Sequence, residues 1–90
     1  MRLENKTVIV TGGGSGFGEG IAKRFAEEGA NIVIADINQK NGEEVANNIE
    51  GSFFCEVDVA NNSDVKNMIE TTLEKFGSLD VLVNNAGIAQ

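Results

Sequence analysis

Residues 11–18 read T-G-G-G-S-G-F-G. A glycine turn of this kind can bind phosphate without a cationic side chain. Gly12 allows a sharp turn, and Gly16 and Gly18 lack Cβ atoms, so backbone can approach a pyrophosphate closely. A helix opening near Gly18 would point unpaired N–H groups and the positive end of its dipole at that charge. No Lys or Arg lies within the turn, so backbone donors would have to hold the anion. The next residue capable of chemistry is Asp36. It follows the second apolar run, close to the ~20-residue offset at which a carboxylate meets the ribose 2′-OH of a dinucleotide. A carboxylate there accepts hydrogen bonds from ribose hydroxyls and repels a 2′-phosphate. Ile37 follows it, where a cation for that phosphate would otherwise sit. The pair favours NAD over NADP. The plain alternative is that Asp36 only starts a turn.

The elements that must position these residues alternate along the whole chain. Residues 7–11 form a β-branched run that reads as a buried strand and ends at glycine. Phe17, Ile21 and Phe25, with Ala22 and Ala26, fall at helical spacing, and Gly29 stops that helix. Residues 31–35 form a second buried strand ending in Asp36. A weaker helix spans 39–50, with Gly42 counting against it. Residues 53–57 form a third strand ending at Asp58. Ser63 is positioned to cap a helix running to Phe76, with Val65, Met68, Ile69, Leu73 and Phe76 on one stripe. Residues 79–83 form a fourth strand. Alternation of this kind implies parallel strands joined by right-handed crossovers. The expected fold is α/β: the N-terminal portion of a Rossmann-type doubly wound parallel sheet, β-α-β-α-β-α-β, in strand order 3-2-1-4. Residues 1–90 then form one partial dinucleotide-binding domain.

Composition narrows the partners. The 90 residues carry 14 acidic and 7 basic side chains, a net charge of −7. That balance disfavours nucleic acid and anionic membrane, which need clustered Lys and Arg. No apolar run approaches the ~20 residues of a membrane span, and the polar opening does not read as a signal peptide. Cys55 is the single cysteine. It reads as a small buried hydrophobe in a strand, in keeping with a reducing, cytoplasmic setting.

Three motifs taken together carry a family resemblance. T-G-x-x-x-G-x-G at residues 11–18, the Asp58-Val59 pair, and N-N-A-G at residues 84–87 resemble the short-chain dehydrogenase/reductase family. The glycine spacing fits that family, and no strict G-x-G-x-x-G occurs in the segment. The resemblance covers the entire chain but only the N-terminal part of a family member. It implies that Gly12, Ser15, Phe17 and Gly18 line the pyrophosphate and adenosine ribose, partly through backbone. It implies that Asp36 and Ile37 flank that ribose. Asp58 would accept from the adenine amino group, with the Val59 N–H on a ring nitrogen. Asn85, Ala86 and Gly87 would form a floor beneath the ribose, and Asn84 would tie neighbouring strands.

The family's reaction is hydride transfer between nicotinamide and an alcohol or ketone carbon. A tyrosine phenol activated by a lysine in Tyr-x-x-x-Lys passes the proton. A free phenol has a pKa of about 10, so this activation matters near neutral pH. The sequence has no Tyr, His or Trp, and no catalytic residue is assigned. The expectation is a unit that binds NAD through adenosine and phosphates and catalyses nothing alone. The alternative is a non-catalytic, adenine-nucleotide-binding or self-associating half-domain. Its fourth strand would present an apolar edge, through which a homo-oligomer or a further part of a longer protein could pair.

Overall fold

The computed structural model describes residues 3–85. Its elements are β1 (Thr7–Thr11), α1 (Gly16–Glu27), β2 (Asn31–Asp36), α2 (Gln39–Asn47), β3 (Phe53–Glu56), α3 (Asn62–Phe76) and β4 (Val81–Asn84). All strand pairs are parallel, in the order β3-β2-β1-β4. Side chains of a strand alternate between its two faces, and β1 shows why both faces need helices. Val8 and Val10 join Ile32 and Ile34 under Ala22 of α1 and Val45 of α2. Ile9 joins Val33 and Ala35 on the opposite face, under Met68 of α3. Every residue of β1 is buried, so this strand can only sit in the middle of a doubly wound sheet. The fold is the Rossmann-type arrangement anticipated from the alternation, in the expected strand order.

Several details depart from the pattern read along the sequence. The cap of α3 is Asn61, not Ser63. The Asn61 side chain accepts from the Asp64 N–H at 3.1 Å, and its own N–H donates to the Asp58 carbonyl, closing a turn that starts the helix two residues early. On α3, Leu73 is exposed while Thr72 is fully buried. Thr72 is tolerated there because its hydroxyl donates to the Met68 carbonyl at 2.8 Å. Helix α2 ends at Asn47 rather than near residue 50. Beyond it the chain turns, with Ile49 still buried and the Ser52 hydroxyl 2.7 Å from the Ile49 carbonyl. Gly42, which weakens α2 as an isolated helix, is required by its packing: a Cβ there would enter the Phe54 ring of β3. The third strand ends one residue early, at Glu56. The fourth runs over Val81–Asn84, and Asp80 just before it is tied to Thr7 twice: its N–H donates to the Thr7 carbonyl at 2.9 Å and its Oδ2 accepts the Thr7 N–H at 2.8 Å.

Candidate functional site

The C-terminal ends of β1, β2, β3 and β4 lie side by side, so the loops that follow them share one rim of the sheet. The loop after β1 is the glycine turn. Gly12 sits at φ 66, in the left-handed region that glycine enters without strain. The chain then folds back so tightly that a Cβ on Gly18 would strike the Gly12 carbonyl oxygen. Ser15 closes the turn as the N-cap of α1. Its Oγ donates to the Gly12 carbonyl at 2.8 Å and accepts the Gly18 N–H at 3.0 Å. The helix therefore opens at Gly16, two residues before the expected point, and the Gly18 amide is already satisfied within the cap. Gly16 and Phe17 keep N–H groups with no partner among the described residues. These are the donors that a helix N-terminus offers to an anion.

Asp36 ends β2 and Asp58 lies two residues beyond β3, and each carboxylate accepts the N–H two residues further on. Asp36 accepts the Asn38 N–H on Oδ1 and the Gly14 N–H on Oδ2, each at 2.8 Å. Asp58 accepts the Ala60 N–H on Oδ1 at 2.9 Å, and its own N–H is held by Asp64 Oδ2 at 3.0 Å. Asp64, in the first turn of α3, thereby positions the Asp58-Val59 segment. The side chains of Ile37 and Val59, one residue past each acid, are exposed.

At the end of β4, Asn85 is buried and ties the sheet to the glycine turn. Its N–H donates to Thr11 Oγ1 at 2.9 Å. Its side-chain amide lies 3.2 Å from the Gly12 carbonyl and 3.3 Å from Ser15 Oγ. Asn84 makes the cross-strand contact expected of it, to Thr11 Oγ1 at 3.3 Å, but Asn85 carries more of that task.

These groups enclose a cavity of about 330 Å³. Seven expected residues line it: Gly12, Ser15, Asp36, Ile37, Asp58, Val59 and Asn85. Val57 lines it as well and was not anticipated; it is a buried strand-end residue with no polar signal. Gly16 and Phe17 instead line a separate apolar groove along α1 with Ile21 and Phe25. Gly18 is buried. Ala86 and Gly87 lie outside the described residues. The volume is at the small end of the range for ligand sites, about 300–1,000 Å³. Among the described residues no Lys or Arg lines the cavity, and two carboxylates do. Such a lining suits a ligand with hydroxyl and amine donors. The Gly16 and Phe17 amides at the start of α1 are the donors with no described partner that a phosphate beside the cavity could use. Thr11, Gly14 and Asp64 also support the site through hydrogen bonds that no sequence pattern announced.

Cys55 lies half-buried in β3 against the α3-side core, and burial pushes its thiol pKa up. It stays a protonated, unreactive thiol near neutral pH. No described helix is long and apolar enough to cross a membrane.

Comparison with known proteins agrees with this fold. The family profile described as short chain dehydrogenase matches residues 6–90. The chain belongs to that family, whose members are oxidoreductases. It is 45% identical over 93 residues to zerumbone synthase of Zingiber zerumbet, covering 98% of this chain and 34% of that protein. A crystal structure of 3-ketoacyl-(acyl-carrier-protein) reductase from Brucella melitensis, complexed with NADH, superposes with a TM-score of 0.85 at 44% identity. That match covers 89% of this chain and 34% of the reductase. A short chain dehydrogenase from Bacillus anthracis gives a TM-score of 0.88 at 44% identity, over 92% of this chain and 35% of that one. The chain thus spans about a third of the length of the relatives it matches.

Proposed function

We propose that this chain forms the adenosine and pyrophosphate part of an NAD(H) site. It would serve a short-chain dehydrogenase/reductase that interconverts an alcohol and a ketone. The observation that carries the reading is the cavity itself: the carboxylates of Asp36, at the end of β2, and Asp58, just beyond β3, and a capped glycine turn line one space of about 330 Å³. Asp36 accepts from the ribose hydroxyls and opposes a 2′-phosphate. Asp58 accepts from the adenine amine, and the Val59 N–H meets a ring nitrogen. Gly12 and Asn85, followed in sequence by Ala86 and Gly87, flank the ribose, with Ser15 and Gly18 fixing the turn. The Gly16 and Phe17 amides hold the pyrophosphate. The NADH complex of the related reductase supports the choice of dinucleotide.

The bound cofactor supplies the hydride. The proton needs a separate donor, and the chain contains no Tyr to act as one. These residues therefore bind and orient, and turnover belongs to a protein that joins them to such a donor. A second reading, self-association without catalysis, is favoured by one observation: β4 is an edge of the described sheet, with Leu82 half-exposed on it. An edge of this kind invites pairing with a second copy.

Thermal melting with added NAD+ tests the first reading. Ligand at a hundred times its Kd stabilises by about 2.7 kcal/mol through mass action. A melting temperature that NAD+ leaves unmoved would sink the binding role. Light scattering tests the second: a monomer at high concentration rules out pairing through β4.

A further inference from the structure

Asp36 is gripped from two directions. One donor, the Gly14 N–H, belongs to the glycine turn; the other, the Asn38 N–H, belongs to the residue that caps α2. One donor on each oxygen fixes the plane of the carboxylate as well as its reach. Each carboxylate oxygen has two acceptor positions. One on each oxygen therefore remains for a ligand in the cavity that Asp36 lines.

Gly14 makes this grip possible, and not because of its backbone angles, since it is not among the glycines at positive φ. The requirement is contact. A Cβ on Gly14 would lie 2.8 Å from Asp36 Oδ2, 2.9 Å from the Gly42 nitrogen and 3.0 Å from the Asn41 carbonyl carbon. The last two are backbone atoms of α2. The carboxylate can swing away but the helix backbone cannot, so a side chain at Gly14 both pushes the carboxylate off the amide and forces α2 to shift.

Resting on the NAD(H) reading above, we infer that Gly14 is a specificity-determining positioning residue acting through Asp36. An unheld carboxylate can rotate about its side-chain bonds, turn away from a 2′-phosphate and relieve the repulsion. A held one cannot. The grip therefore acts on the discrimination between NAD+ and NADP+ more than on affinity for the shared adenosine.

The test uses two changes in the 90-residue chain. Gly14→Ala adds the Cβ. A chain assembled by chemical ligation with a backbone ester at Gly14 removes the N–H and adds no side chain. Calorimetry gives the NAD+ and NADP+ affinities of each. Amide exchange of Gly14 is compared between wild type and Asp36→Ala. The ester chain and Gly14→Ala are expected to lower the NAD+/NADP+ affinity ratio about tenfold, the worth of one charge-assisted hydrogen bond. The Gly14 amide is expected to exchange slowly in wild type and faster in Asp36→Ala. If the two affinities fall together at a constant ratio, Gly14 only packs, and the inference is wrong. Equal exchange in wild type and Asp36→Ala shows that the grip does not exist. Should Gly14→Ala fail to fold, the ester chain decides alone. A wild type that binds neither dinucleotide overturns the NAD(H) reading and this inference together. A wild type that favours NAD+, with an ester chain that keeps the ratio, overturns the inference alone.

Discussion

The Thr11 hydroxyl links three strand-end groups at the rim of the sheet. It accepts the buried Asn85 N–H at 2.9 Å, donates to the Val83 carbonyl at 3.0 Å and lies 3.3 Å from Asn84 Oδ1. Thr11→Val keeps the shape but orphans that N–H, at a cost of about 1–3 kcal/mol. A urea titration should show this loss, with weaker NAD+ binding because Asn85 no longer anchors the glycine turn. Unchanged stability would mean the hydroxyl is dispensable. Asp36→Ala should weaken NAD+ and relax the bias against NADP+; an unchanged preference would leave Asp36 as a turn residue only. Asp80 illustrates a pH effect at the same scale. The Thr7 N–H at 2.8 Å, then the Ser78 hydroxyl at 3.1 Å and the charge of Lys6, hold its pKa below the ordinary carboxylate value. Because the folded pKa is lowered, the stability it contributes is present above the unfolded pKa of about 3.9 and is lost as pH falls through the folded value. Asp80→Asn should therefore flatten the fall in stability on acidification. Denaturation curves at several pH values from about 6 to about 2 check this, and parallel pH profiles for the two proteins would refute it.

At the scale of elements, the strong periodicities were legible. The β-branched run of β1, the Phe17-Ile21-Phe25 spacing of α1 and the glycines that stop helices need only their own neighbours to be read. The alternation of elements then fixed the parallel order. The departures come from side-chain and turn hydrogen bonds that periodicity does not register, and from contacts between elements. Asn61 takes the cap from Ser63 because the Asp58 carbonyl holds its N–H in a turn. Thr72 displaces Leu73 from the core because its hydroxyl is satisfied along its own helix. Gly42 is the sharpest case. As an isolated helix α2 would gain about 1 kcal/mol from alanine at that position. Packed on β3, a Cβ there meets Phe54. Gly42→Ala should destabilise by about 1–3 kcal/mol, the range for overpacking, read from the midpoint of urea unfolding. A stabilised variant would show that propensity prevails and that α2 is loosely seated. In the site, Asp36 and Asp58 were legible as acids at strand ends. Their restraints by Gly14 and Asp64 were not: Gly14 meets Asp36 only through the fold, and Asp64 reaches the Asp58 N–H only once the turn before α3 has formed.

At the scale of the molecule, every group assigned a role in cofactor binding meets adenosine or phosphate, and none is assigned to nicotinamide. The cavity of about 330 Å³ is proposed to take one end of a dinucleotide, and the chain spans about a third of its relatives' length. The adenine end of the ligand should then carry all of the affinity. Calorimetric titration of this chain with NAD+, ADP-ribose and ADP measures that directly. The expected result is three dissociation constants of about the same size, since the three ligands share adenosine and pyrophosphate. Binding of NAD+ far tighter than ADP-ribose, or no binding of any of the three, would contradict the account.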